Sequence, residues 1–498
     1  MKHIAFFSTL FFVLGVHTLW SAEQSNIYFS QISTKDGLSQ NSVRAILEDR
    51  KGFIWAGTLN GLNRFDGYQL FTYNPQPGNP KSLIDNRIKN VFQDKDGYLW
   101  IKTYKNEFTC YDPINDSFVN YLPEGYKNSA MFYTDYYESS NGNIWLWGNT
   151  SGCLLIKKQN GVIKSTPFLT DQINKKQCRF LLEDSKSTVW VGGTAGIFKI
   201  SPDKKVERLF EDKYSFTNAI EMNNKLYLST ENSVLVEYDL KKKTFEEIIA
   251  PLPQYSFTNI ARISKTELML VTRFFGIISY NTNTRQFGKI SWGIDPELVG
   301  NIELITDKNN GLWLYNHSGN IWYFNPATQF SKKLNLIPHS IAKIIDLERY
   351  NVFIDSKNLI WITTYGNGLF CYNPVTGKLD NYKYSPTENS LASDYLLSIT
   401  EDKYGNIWIG SEYAGIIKIV KADYELQVIR PEKETSIGKN NNVRTIYEDS
   451  YNNIWVGTKN GSLYLYDYNL SSNTCIQPDL NPYSLTEDSQ HRIWVGTK

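Results

Sequence analysis

Tryptophan recurs at a fixed interval. Trp55, Trp100, Trp145 and Trp190 stand 45 residues apart, each inside a near-copy of one stretch. A period of 40–50 residues means a chain built from repeats of one supersecondary unit, none of which can bury its hydrophobic face alone. The first copy reads SVRAILEDRKGFIWAGTLNGLNRFDGYQLFTY (42–73) and the second RIKNVFQDKDGYLWIKTYKNEFTCYDP (87–113). Two weaker copies follow, with Tyr227 and Met269 in the marker position, and then Trp313, Trp361, Trp408, Trp455 and Trp494. That makes eleven copies, and the nine tryptophans read as residues that pack the repeat, not as ligand contacts.

Each copy reads as four short strands. In the first they are Arg44–Glu48, Phe53–Thr58, Gly61–Phe65 and Leu70–Tyr73. Asp49 to Gly52 makes the first hairpin turn, because an Asp side chain can accept from nearby backbone N–H groups and Gly tolerates positive φ. No long stretch shows helical periodicity. Four strands per unit of this length point to β-propeller blades, with a strand solenoid as the alternative. Rings usually hold four to eight blades, so eleven copies call for two rings. The expectation is an all-β chain of tandem propellers: a seven-bladed one over 26–337 and an incomplete second one over 338–498, with about four blades and the last half-built. Either 27–33 or 329–336 would supply the closing strand of the first ring. The last copy, SQHRIWVGTK, stops after its second strand, which predicts a natural chain that continues beyond residue 498.

The 52 basic and 51 acidic residues leave a net charge of +1, which excludes the basic footprint of a nucleic-acid binder. Residues 1–22 read as a signal peptide: Lys2 and His3, then an apolar run from Ile4 to Val16, then Ser21 and Ala22. An uncleaved anchor is the competing reading. The five cysteines, Cys110, Cys153, Cys178, Cys371 and Cys475, form no CxxC pair and read as small buried hydrophobes, although an exported chain could form one bridge.

The motifs DGLSQNSV (36–43), DRKGFIWAGT (49–58) and GLNRFDGY (61–68) resemble the regulator-propeller repeats of two-component systems, and the lead-in recurs in NNVRTIYED (441–449). The resemblance covers about 26 to 498. It is strongest to hybrid two-component sensors of Bacteroides-type bacteria, in which a signal peptide and two propellers precede a β-sandwich, a membrane helix, a histidine kinase, a receiver and a DNA-binding domain. It implies a periplasmic sensor of glycan-derived oligosaccharides that controls polysaccharide-utilisation genes. It also implies a homodimer in the full-length protein, held in the inner membrane by a helix absent from this segment. The segment itself would neither phosphorylate nor bind nucleic acid.

Catalytic motifs are absent. His317, His339 and His491 lack metal-ligand spacing, and DKDG (94–97) has Lys105 where a calcium loop needs Glu. No cofactor or metal is expected. A pair of carboxylates suited to glycan hydrolysis stays open, as does a stand-alone protein-interaction propeller. For ligand binding, the candidates are residues of the loops between second and third strands: Asn60, Tyr104, Trp147, Asn149, Arg273, Phe274, Tyr315, His317 and Tyr365. Aromatic faces suit sugar rings, and Arg suits carboxylated or sulfated sugars. Arg273 and Phe274, in TRFFG, are the sharpest of them; contact with another protein surface is the competing role. Arg64 and Asp66 read as a structural pair.

Overall fold

The computed structural model describes residues 26–119, 133, 135–148, 152–159, 162–169, 177–211, 213–251, 255–273, 275–289, 302–316, 320–328, 330–334, 350–387, 389–422, 431, 442–459, 461–467, 470 and 473–497. The expected signal peptide lies outside them. Apart from one 3-10 turn at Thr34–Asp36, the described secondary structure is strand. No helix among the described residues is long and apolar enough to cross a membrane.

The strands pair in antiparallel four-stranded sheets, the architecture of propeller blades. Sheet 1 consists of Val43–Glu48, Ile54–Thr58, Gly61–Phe65 and Leu70–Tyr73, here strands a to d. Sheets 2 to 8 repeat that order, their a strands beginning at Ile88, Asp135, Cys178, Phe216, Phe257, Ile302 and Asn351. Sheet 9 contains Leu396–Glu401, Ile407–Ser411 and Ile416–Ala422, and its fourth strand is the N-terminal Asn26–Ile32 (β1).

The turn between strands a and b is built on one buried carboxylate. Asp49 Oδ1 accepts from Lys51 N (2.9 Å) and Phe53 N (3.0 Å), and Oδ2 accepts from Trp55 Nε1 (2.8 Å). The same indole bond joins Asp94 to Trp100, Asp184 to Trp190, Asp307 to Trp313, Asp355 to Trp361 and Asp402 to Trp408. A buried indole N–H without a partner would cost ~1–3 kcal/mol, so the Asp keeps the Trp inside. Trp55, Trp100, Trp190, Trp313 and Trp361 are fully buried, and Trp145 and Trp408 nearly so. Gly52 closes the first turn at φ +91°; Asn310 and Asn358 take the same left-handed position in sheets 7 and 8.

Hydrophobic clusters hold neighbouring sheets together. Leu62 shares one with Ile88 (sheets 1 and 2), Ile197 with Phe216 (4 and 5), and Leu369 with Leu396 (8 and 9). Val43, Ile54 and Ala56 share one with Trp408 and Ile416, which joins sheet 9 to sheet 1. A polar latch accompanies this packing. The last residue of strand a accepts from the turn of the preceding sheet: Glu138 from Lys95 N (2.8 Å), Glu183 from Ser140 N (2.7 Å), Glu401 from Ser356 N (2.6 Å). Glu48 accepts from Lys403 N (2.6 Å) in the same way.

The sequence-based boundary at 337/338 therefore does not coincide with the structural one. Ile27–Lys421 is one compact unit, in which sheet 9, not sheet 7, packs on sheet 1. The reason lies in the d strands. Phe330–Leu334 already completes sheet 7 and leaves β1 no edge there, whereas sheet 9 takes β1 as its outer strand.

The second unit contains Ala422–Lys498. Within it, Val443–Glu448, Ile454–Thr458, Leu463–Tyr466 and Asn473–Gln477 form a four-stranded sheet. Pro482–Glu487 and Ile493–Thr497 form a two-stranded hairpin. Asp449 and Asp488 bond Trp455 and Trp494 as elsewhere (2.9 and 2.7 Å). Trp494 nonetheless corrects the expectation of a packed residue: it is 57% exposed, because a hairpin lacks the further strands that cover its counterparts. Trp455 is half-buried.

Candidate ligand-binding face

The b–c turns are held rigidly. A Thr or Ser ending strand b donates its hydroxyl to the carbonyl at the start of strand c: Thr58 to Gly61 (2.9 Å), Thr272 to Gly276 (2.8 Å), Thr364 to Gly368 (2.6 Å), Ser411 to Gly415 (2.9 Å). What the frame repeats, the loop tips vary.

Near the same end, strand a carries a β-bulge in several sheets. Register shifts fall between Val43/Ala45, Ile88/Asn90, Cys178/Phe180, Phe216/Asn218, Phe257/Asn259 and Leu396/Ser398. The extra residue is re-aimed by the bulge. It is Arg44, Lys89, Arg179, Thr217, Thr258 or Leu397 in turn. Arg44 pairs with Glu412 in the b–c loop of sheet 9 (2.7 Å), and Ser42 Oγ donates to the same carboxylate (3.1 Å). Arg179 pairs with Glu231 in the b–c loop of sheet 5 (3.0 Å). Glu231 also receives Arg273 Nη2 (2.7 Å) and Ser215 Oγ (2.8 Å). Burial opposes ionisation of Glu231, but Ser215 and the Arg179 and Arg273 guanidinium groups outweigh it and hold its pKa below the usual value.

Aromatic side chains gather beside the first of these pairs. Tyr395 stands edge-on to Tyr365 (5.1 Å between centroids) and to Tyr413 (5.3 Å). Tyr395 is 40% and Tyr413 62% exposed. A smaller group lies on sheets 1 and 2. Arg87 lies over the Tyr104 ring (5.1 Å), Lys105 pairs with Asp85 (2.6 Å), and Asn86 donates to Asn60 Oδ1 (3.2 Å).

The residues singled out from sequence distribute unevenly over this surface. Asn60, Tyr104 and Arg273 are exposed, and Tyr365 is half-buried within the tyrosine group. Arg273 is committed to Glu231. Trp147 is half-buried and packs against the core between sheets 3 and 4. Tyr315 corrects the expectation of a surface contact: it is 7% exposed, and its hydroxyl donates to Glu303 (2.8 Å) in the paired strand. Asn149, Phe274 and His317 lie outside the described residues. Arg64 pairs with Asp116 (3.6 Å) and not with Asp66, whose carboxylate caps its own turn through Tyr68 N and Gln69 N. Sequence reading missed Tyr395, Tyr413, Arg44 and Arg179. The signal for the arginines is the residue after the first buried position of strand a, in SVRA and QCRF. Tyr395 sits on a d–a loop, whereas the candidates came from b–c loops. Among the described residues no group of three or more His, Cys, Asp and Glu side chains is placed to hold a metal ion.

Exposed aromatic rings flanked by ion pairs thus sit on the loops of a propeller-type frame. The two-component regulator propeller family matches residues 37–60, 82–105, 390–413, 437–460 and 476–498: the chain carries two-component regulator propeller repeats. Histidine kinase P4 of Formosa agariphila is 39% identical over 83 residues, covering 17% of this chain and 6% of that protein. Among solved structures, the extracellular domain of a hybrid two-component system from B. thetaiotaomicron is similar at 19% identity, with a TM-score of 0.36, over 95% of this chain and 70% of that one. A second such domain from the same organism is similar at 18% identity and a TM-score of 0.34, over 95% and 71%.

Proposed function

We propose that the chain is the extracytoplasmic ligand-sensing region of a hybrid two-component sensor, and that its ligand is a glycan-derived oligosaccharide. The regulator-propeller repeats and the histidine-kinase relative support the sensor assignment. The observation that carries the ligand class is the Tyr365–Tyr395–Tyr413 group beside the Arg44–Glu412 pair. Sugar rings offer apolar C–H faces that pack on aromatic rings, and hydroxyls that pair with tyrosine, carboxylate and guanidinium groups. Binding would bias one arrangement of a sensor dimer and so reach a kinase across the membrane as a population shift. The place of action is the periplasm, and the genes controlled are those of polysaccharide use.

The test is calorimetric titration of the purified chain with a panel of oligosaccharides. One or more should bind, and Tyr395→Ala with Tyr413→Ala should weaken that ligand at least tenfold while leaving the melting temperature in place. Unchanged affinity in the double variant would move the site elsewhere. Turnover of a glycan in the same panel would replace sensing with catalysis.

A further inference from the structure

Every junction between neighbouring sheets of the Ile27–Lys421 unit uses the same two positions. One is the residue after the b–c turn on strand c, and the other is a buried residue at the start of strand a of the next sheet or just before it. They share a hydrophobic cluster at each junction. The pairs are Leu62 with Ile88, Phe108 with Tyr133, Ile197 with Phe216 and Leu235 with Phe257. They continue as Ile277 with Ile302, Ile321 with Tyr350, Leu369 with Leu396, and Ile416 with Val43 across the closure. At eight junctions both members are large and apolar, which is what a packed interface needs.

The junction of sheets 3 and 4 departs from this rule at both positions together. Its two residues are Cys153 and Cys178, 0% and 1% exposed, in one cluster with Leu155, Val191 and Phe198. Both thiols are free in this structure. Cys110 and Cys371 lie two residues further along strand c, opposite Trp100 and Trp361, and belong to two other clusters. Two of the five cysteines thus meet at the one junction with the smallest side chains.

We infer that Cys153 and Cys178 are a disulfide pair that staples sheet 3 to sheet 4. The chemistry is thiol–disulfide exchange with a disulfide oxidant, such as oxidised glutathione or a dithiol oxidase. One cysteine thiolate attacks the oxidant and expels a thiolate. The second cysteine then attacks the mixed disulfide and expels the other, so the protein loses two protons and two electrons and the oxidant is reduced to two thiols. In the packed junction the neighbouring thiol and burial push the Cys153 thiol well above its ordinary pKa, which disfavours the attacking thiolate. The bridge therefore forms while the junction is still open, during folding, and not by reaction of the finished ring.

The experiment is refolding of the whole chain from denaturant, in a glutathione redox buffer or in excess dithiothreitol. Free thiols are then counted by maleimide mass shift under denaturing conditions. The expected count falls from five in the reduced sample to three in the oxidised one, and peptide mapping links Cys153 to Cys178. Cys110→Ser should leave the count two below its reduced value, whereas Cys153→Ser should leave no bridge. Five free thiols after oxidative refolding, or a map joining any other pair, would overturn the inference. The mapping of unmodified chain decides alone if a variant fails to fold. Nothing in the test depends on ligand sensing, so loss of the sensor reading would leave it standing.

Discussion

The meeting of sheet 9 with sheet 1 is the feature on which the organisation of Ile27–Lys421 turns, and one ion pair tests it. Arg44 Nη2 stands 2.7 Å from Glu412 Oε2, with the two side chains 20% and 13% exposed. Exposed pairs contribute ~0–1 kcal/mol, whereas removing one partner of a buried pair costs ~3–5 kcal/mol. This pair lies between, so Arg44→Ala should cost ~2 kcal/mol. Arg44→Glu adds repulsion between two carboxylates and should cost ~3 kcal/mol. Unfolding entropy near 2.1 cal/mol/K per residue gives ~0.8 kcal/mol/K for a unit of about 395 residues, so Arg44→Glu should lower the melting temperature by ~4 °C. The informative variant is the swap. Arg44→Glu with Glu412→Arg restores opposite charges and should recover ~1–3 kcal/mol relative to the sum of the single changes, the range of coupling seen for contacting residues. The assay is differential scanning calorimetry of the four proteins at one low salt concentration, repeated at high salt to check screening. Additivity within ~0.5 kcal/mol would mean that residues 44 and 412 do not touch. The join between sheets 9 and 1 would then be refuted, and a ring closing near residue 337 would regain its place.

Other consequences follow from the same network. Lys421 Nζ lies 2.6 Å from Asp355 Oδ2 with side chains 3% and 0% exposed, so Lys421→Met should destabilise by ~3–5 kcal/mol. Asp355→Asn in the same chain should recover only part of that loss, because its amide cannot accept from both Trp361 Nε1 and the turn N–H groups; urea melts followed by tryptophan fluorescence would show both. Asp184→Ala strips the partner from the fully buried Trp190 indole and should cost ~1–3 kcal/mol, read as a lower urea midpoint. Glu231 has a folded pKa below its ordinary value. The stability it contributes is present above the unfolded carboxyl pKa and is lost as pH falls through the lower folded one. An acid melt should therefore show less loss below about pH 4 in Glu231→Gln than in the parent, and an identical pH profile would refute that coupling. Deleting 26–32 removes the outer strand of sheet 9 and exposes a strand edge; light scattering should report association of the shortened chain at concentrations where the parent stays monodisperse.

The unit of this fold is written plainly in the sequence, and its closure is not. Apolar alternation, Asp at the head of the a–b turn and Trp six residues later predict the strands of sheet 1 to within a residue or two, because these are local demands on turn geometry and burial. The indole bond itself was foreseeable from that constant six-residue offset. Ring closure depends on which strand edge a distant segment meets, and β1 pairs with Ile416–Ala422 from the far end of the unit. Both 27–33 and 329–336 looked like closing strands, and nothing local distinguishes them. The loop face was half legible. Asn60, Tyr104 and Arg273, chosen for their place on b–c loops, are exposed. That choice failed for Tyr315, where the residue still belongs to strand b and its ring turns inward to Tyr350 and Glu303. It passed over Arg44 and Arg179, which lie on strand a and not on a b–c loop, and which a bulge re-aims.

The two ends of the sheets answer different demands, and the difference argues for where function sits. At the a–b end the same residues return from sheet to sheet: an Asp buried in its turn, a Trp bonded to it, and a Glu latched to the neighbour's backbone. Changing any of them unsettles two sheets at once. At the b–c end the hydroxyl bond across the turn, the bulge of strand a and the apolar junction pair recur beneath the surface, whereas the tips carry Tyr413, Arg273, Lys105 or Asn60 as the case may be. The tips can vary at little cost, since surface substitutions away from such bonds and packing usually stay within ~0.5 kcal/mol. The variable end is thus the one on which ligand recognition can be built and rebuilt over an unchanging frame, and the Tyr365–Tyr395–Tyr413 group lies there.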